Sequence, residues 1–539
     1  MKNKYGYFKY MDFANGADEN SQLSTPNELQ ENADLELLRQ GREFPQYQTL
    51  EQNEYDTRFP FQFYQPGYSV GFLTSDISDQ NGVFATPIVL DIQFSEYFSM
   101  TGLTIATRSV VRKAVVEGYR DGELIARGEF SAETRSHFYP IELEFVNAIK
   151  FTVYEIADPY HFLGIYSISY GRIKDFGDQE IVSAQITSNF SVLGDNLEYD
   201  TLDLTLKSPD DIGAYIFQRK QVINFIKDEN YELRMFVDAG SKNQNGTVSI
   251  TAYDSISNLE DTFLGGMYSN APVYDIIKAI CGDRIWFTFD ADRTIPLTGY
   301  IPICTKRKAL QMVLQAANLR CYKAHRLVFA PLETDVRTEV LDETNILGDP
   351  KIKENEPIRS VEVNFHNYSK ISDETELYHW YVAQNENVQI TFSSPAHSLS
   401  AYEVTGVDSN GQDIISTKIS ENVRFVEVGA NYCVIYNTSP NKIVIKGKGY
   451  ADSTASVKIS NKFVLRDEVY SDIIINMTIH GDVEKTCQIA YNQYAKRNSI
   501  KFKTLQDLKI GGLYSILGES YYIKRKKTNL DGLYEVEAV

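Results

Sequence analysis

The chain has 539 residues, more than one hydrophobic core usually organises, so roughly three to five domains are expected. Apolar residues make up 43% and charged residues 23%, which excludes a disordered chain, and Tyr 36 and Phe 29 against Trp 2 favour aromatic packing on strands. A formal charge of -20 excludes a generally basic nucleic-acid binder and leaves room only for a local basic patch. The fold class read from these features is mainly β and multidomain. No apolar run approaches the roughly 18 residues that would span a bilayer, and the start MKNKYGYFKYMDFANG has no secretory h-region, so a protein made and kept in the cytoplasm, without a signal peptide, is expected. Cys281, Cys304, Cys321, Cys433 and Cys487 are scattered and odd in number, which reads as buried thiols rather than disulfides or a zinc site.

Between Asp12 and Asp56 eleven acids stand against two bases, Arg39 and Arg42, with one short helical candidate from Glu28 to Gln40. Residues 1–55 therefore read as an acidic arm that orders only against a partner. A Gly-, Ser- and Asp-rich lead from Gln65 to Pro87 then enters the alternating Ile88-Val89-Leu90-Asp91-Ile92-Gln93-Phe94, where one face is apolar and the other polar. Further short strands are predicted at Gly102–Ile105, Val115–Tyr119 and Ile141–Phe145, with a hairpin turn at Asp121-Gly122. Over 56–175 these residues resemble the discoidin-like, galactose-binding type of jelly roll, a β-sandwich that baseplate and tail-tip proteins of Gram-positive phages often carry.

Residues 176–268 read as a β-domain, with the leucines of Thr201–Leu206 on one face and a strand at Thr247–Ala252. From Pro272 the period becomes helical. Tyr274–Ile280 is one short helix, and Lys306–Leu319 is a second with Thr305 as N-cap and Leu310, Val313, Leu314 and Ala317 on one stripe. This small α+β unit occupies 269–345. A C-terminal β-domain with a helix is read over 346–371 and 453–539, interrupted at 372–452 by an inserted β-sandwich with a turn at Asn410-Gly411. The helix carries Val483, Cys487, Ala490, Tyr491 and Tyr494 inward, and the final strand Leu533–Glu537 is expected to be paired. From Lys496 to Lys527 nine bases face only Asp507 and Glu519, either a solvated hairpin or an assembly contact.

Thr305–Leu310 leading to Leu327–Leu332, and Gly511–Tyr514 leading to Leu533–Ala538, are the phrases in which the chain resembles the baseplate hub proteins of contractile phage tails and the related trimeric spike bases of secretion systems. The resemblance covers about two thirds of the chain, and the inserted sandwich departs from the minimal hub. It implies hub-type β-barrel domains and a non-enzymatic virion or tailocin subunit. A homotrimeric ring would join tail tube to spike, with other baseplate proteins and the tape measure as neighbours.

Chemistry is sparse. Gly67-Tyr68-Ser69-Val70-Gly71 matches the nucleophile-elbow pattern, but strand and turn follow where a helix is required, so it reads as a chance match and no catalytic residue is assigned. The seven histidines form no paired metal motif, and neither metal nor cofactor is expected. Tyr64, Tyr68, Arg108, Tyr119 and Arg120 sit near predicted jelly-roll loops and combine aromatic faces with hydrogen-bonding groups. They either meet a cell-wall carbohydrate or pack the sandwich. Two other functions follow from these features: a receptor-binding tail protein for cell-wall glycan, and a peptidoglycan-degrading tail enzyme.

Overall fold

The computed structural model describes residues 6–31, 33–40, 48–52, 61–63, 71–177, 179–190, 194, 197–207, 217–227, 230–243, 246–282, 285–324, 326–332, 337, 339–461, 470–529 and 532–539. The chain divides into two compact units. One comprises residues 1–183, 203–230 and 235–252, the other residues 184–202, 231–234 and 253–539. The fold is mainly β throughout.

In the first unit the strands run in the order Phe72–Ile77, Phe162–Ser169, Val83–Thr107, Ser136–Ile156, Val111–Arg120 and Glu123–Phe130. Alternation does the sorting: Ile88, Leu90, Ile92 and Phe94 are buried while Gln93 is exposed. Val83–Thr107 has 25 residues and Ser136–Ile156 has 21, and they pair in two stretches with register shifts between. Ile88–Gln93 lies against residues 148–153, and Gly102–Ala106 against residues 136–140. Both stretches supply one core, since Ile88, Leu90, Leu103, Ile105, Leu143 and Phe151 share a cluster. The sheet therefore curls around its own apolar face.

The acidic arm is a correction. Tyr7–Phe13 is a strand paired with Gly171–Phe176 on one side and Val222–Lys227 on the other. Phe8 is 0% and Tyr10 1% exposed, and the segment continues by pairing Ser21–Ser24 with Val83–Thr107. Leu38, in a 3-10 helix at Leu35–Gln40 where the sequence suggested a helix from Glu28, is buried in the same core as Ile88 and Phe151. The acid that conceals this strand, Asp12, is itself buried. It accepts hydrogen bonds from Thr101 Oγ1 at 2.8 Å and Gln221 Nε2 at 3.3 Å, and burial raises its pKa. Gly171 has φ 141°, and a Cβ there would stand 1.8 Å from the Asp12 carbonyl oxygen, so only glycine lets the two strands approach. The sheet continues from Val222–Lys227 through Asn230–Lys242 and Thr247–Asp254 to Thr201–Lys207.

In the second unit, helices Val273–Cys281 and Lys306–Ala316 pack in one core with Val361, Val363, Met477 and the helix Val483–Tyr494. Thr305 Oγ1 accepts from Lys308 N at 3.2 Å and caps the second helix, as its sequence requires. Asp482 caps the third by accepting from Lys485 N at 3.0 Å. The small α+β unit and the C-terminal helix thus share a core rather than forming separate domains.

The inserted sandwich is also not joined where its sequence boundary falls. Ile358–Tyr381 is one 24-residue strand running antiparallel to Lys442–Ser460, from Ser360 against Ser460 to Tyr381 against Lys442. At one end it contributes Val361 and Val363 to the α/β core; at the other, Ile443 and Ile445 join Ile390, Ala401, Cys433 and Ile435 in a second core. Boundaries at 371 and 453 therefore fall inside a continuous ribbon. Among the described residues every strand path has two ends, so the expected barrels are open sheets. Closure depends on pairing between a first and a last strand, which local alternation does not encode.

Candidate functional surfaces

Among the described members of the predicted sugar set, Arg108 does not meet Tyr119 and Arg120. Tyr64 and Tyr68 lie outside the described residues, as do positions 67–70 of the Gly-x-Ser-x-Gly match; Phe72–Ile77, which follows Gly71, is a strand. Arg108 is 4% exposed, just before Val111–Arg120, whereas Tyr119 and Arg120 stand at that strand's far end. Ten strand residues span about 33 Å, too far for one sugar ring.

Tyr119 does line a cleft of about 480 Å³ with Asp91, Gln93, Asp121, Asn147 and Lys150. Its hydroxyl donates to Glu117 Oε2 at 3.0 Å, while Asn147 Nδ2 donates to Asp121 Oδ1 at 3.0 Å and Tyr97 donates to the same oxygen at 2.9 Å. Arg120 donates to the carbonyls of Phe145 at 2.9 Å and Glu144 at 2.6 Å, which fixes it to the fold. Asp121, read from sequence only as a turn residue, is the polar centre of this end. Its partner Asn147 is a neighbour through cross-strand pairing, which no short motif announces.

A second surface lies on the inserted sandwich. Trp380 and Tyr381 are 62% and 56% exposed, their ring centroids 6.0 Å apart, and Lys442 Nζ stands 5.7 and 5.9 Å from them. Asp413 joins Lys442 Nζ at 2.7 Å and His379 Nε2 at 2.9 Å, and the first of these contacts lowers its pKa most. An exposed indole beside a phenol and a charged hydrogen-bonding row can stack on an apolar sugar face and bind its hydroxyls. The signal was available in Trp380-Tyr381, but their exposure was not.

A buried charge cluster lies elsewhere in the second unit. Lys323 Nζ lies 3.0 Å from Asp200 Oδ1, 3.8 Å from Asp254 Oδ2 and 3.1 Å from the Asn189 carbonyl. Burial pushes the Asp254 carboxyl up to about 7, against the pull of Lys323. Burial also opposes the Lys323 ammonium, but the two carboxylates together outweigh it and its pKa is raised. The adjoining cavity is about 10 Å³, barely one water, so these groups pin strands together and have no room for substrate. Among the described residues no group of three or more His, Cys, Asp or Glu is arranged to hold a metal, and no helix is long and apolar enough to cross a membrane.

No protein-family model and no curated protein matches the chain. Solved structures do resemble it. The 43 kDa tail protein of prophage MuSo2 from Shewanella oneidensis is 12% identical with a TM-score of 0.40, covering 68% of this chain and 95% of that one. Prophage tail protein gp18 from Listeria monocytogenes EGD-e is 8% identical with a TM-score of 0.40, covering 68% and 90%. The E. coli c3393 protein, a component of the type VI secretion system described as similar to T4 tail proteins gp27 and gp5, is 8% identical with a TM-score of 0.31, covering 67% and 73%. Likeness at this level carries no activity or partner over to the chain.

Proposed function

We propose that this protein is a structural subunit of a phage tail or phage-tail-like particle, acting at the baseplate as a homotrimeric hub between tail tube and spike. The observation that carries the reading is the plan of the second unit. Residues 185–189 pair with residues 525–529, so the α/β core and the inserted sandwich are excursions closed by the terminal strands Glu519–Asn529 and Tyr534–Ala538. Antiparallel strands tied across more than three hundred residues suit a part that transmits force. No catalytic step belongs to this reading, and Ser69→Ala is expected to leave particle activity unchanged. Mass measurement of concentrated protein and of purified particles is expected to give three copies per ring; a monomer that never enters particles overturns the proposal.

A second reading, recognition of cell-wall carbohydrate, is favoured by the exposed Trp380 and Tyr381. It predicts retention on purified wall polysaccharide that Trp380→Ala abolishes.

A further inference from the structure

The C-terminal sheet of the second unit runs in the order Ile181–Asn189, Glu519–Asn529, Tyr534–Ala538, Asn498–Thr504 and Leu347–Glu354. One face is apolar: Ile500, Phe502, Ile523, Val536 and Ala538 are 5% exposed or less. By the two-residue period the intervening side chains of Asn498–Thr504 and Tyr534–Ala538 point the other way, and a register shift between Ile523 and Arg525 brings Arg525 and Lys527 to that same face. Register arranges them in two rows. Lys351 lies opposite Lys501, Lys501 opposite Glu537, and Glu537 opposite Arg525; in the next row Lys503 lies opposite Glu535, and Glu535 opposite Lys527. Each glutamate is thus flanked by two cations on strands about 5 Å away.

Only two of those five cations are used. Lys501 pairs with Glu537 at 2.9 Å and Lys503 with Glu535 at 3.3 Å. Among the described residues, Lys351, Arg525 and Lys527 form no ion pair. Together these side chains line a cleft of about 620 Å³ with five cations against three carboxylates, in a chain whose charge is -20.

We infer that this face docks an extended, carboxylate-rich segment of another protein. Carboxylates on an extended chain repeat every two residues, the spacing of Lys501 with Lys503 and of Arg525 with Lys527. The partner lies across the face and does not extend the sheet, because the edge strand Leu347–Glu354 is blunted by Pro350, Lys351, Lys353 and a register shift. A continuous polyphosphate fits less well, since its charges would also fall over Glu535 and Glu537. A protein segment can leave those positions uncharged. The inference does not rest on the tail reading.

The test is fluorescence anisotropy of full-length protein at low ionic strength. The probes are a labelled peptide of alternating glutamate and serine and a short DNA duplex of equal charge. The peptide is expected to bind more tightly than the duplex, to weaken as salt rises, and to lose about tenfold in affinity in the double variant R525Q/K527Q. E535Q/E537Q is expected to raise duplex binding more than peptide binding. Lys418→Gln, on an exposed loop of the insert, serves as the unaffected control. If R525Q/K527Q does not melt like the wild type, Lys351→Gln at the sheet edge carries the test, with about threefold weaker peptide binding expected. No peptide binding by the wild type, tighter binding of the duplex, or unchanged affinity in the cation variants overturns the inference.

Discussion

The acidic stretch near the start of the chain and the basic stretch near its end look like opposites of one kind, two charged tracts of a solvated surface. Their structures differ in where the charge goes. Tyr7–Phe13 lies between two strands, buries Phe8 and Tyr10, and takes the acid Asp12 inside with them. Asn498–Thr504 separates the two classes of side chain by face, burying Ile500 and Phe502 with Lys501 and Lys503 outside, and a register shift after Ile523 turns Arg525 to the same outer face. A charge count says nothing about burial; alternation and the supply of hydrogen-bonding partners decide it.

The comparison breaks first at the N-terminal segment. Deleting residues 2–40 removes a strand paired on both sides and the Leu38 anchor, so loss of cooperative melting in the first unit is expected, more than about 5 kcal/mol. A truncated protein that melts as the wild type would return the segment to the status of an arm. The effect of Asp12 is smaller. Asp12→Ala leaves Thr101 and Gln221 without their acceptor, a loss of about 1–3 kcal/mol by denaturant titration. Burial raises the folded pKa of Asp12, so ionisation costs the folded state more than the unfolded one. Its contribution to stability therefore falls as pH rises from the ordinary carboxylate range through the raised folded value, and Asp12→Asn is expected to flatten the profile over that window. The smallest effect belongs to the basic face. Lys501 is 60% exposed in its pair with Glu537, so Lys501→Ala costs less than about 1 kcal/mol, and a larger loss would show that the face stabilises the fold rather than waiting for a partner.

Much of the fold was legible. Ile88, Leu90, Ile92 and Phe94 announce a half-buried strand, and Thr305 followed by Leu310, Val313 and Leu314 announces a capped amphipathic helix, because both signals are written in residues close together in sequence. The N-terminal strand was not legible because the partners that make Asp12 tolerable in the interior lie 89 and 209 residues away. The candidate surfaces were legible only as residue types. Tyr119 gains Asp121 and Asn147 as neighbours through cross-strand pairing, while Arg108, near a loop as expected, is buried at the opposite end of the strand.

The sequence by itself determined that this is a mainly β, multidomain chain, where the helix capped by Thr305 starts, and which strand residues share a face, since period and capping act over a few residues; the helix expected from Glu28 is only a 3-10 turn at Leu35–Gln40. Only the tertiary structure decided that one 24-residue strand serves two cores, that the sheets stay open, and that Lys351, Arg525 and Lys527 meet on one face. Each of those depends on the register between strands distant in sequence, and register is set by packing of whole faces against one another rather than by any local pattern.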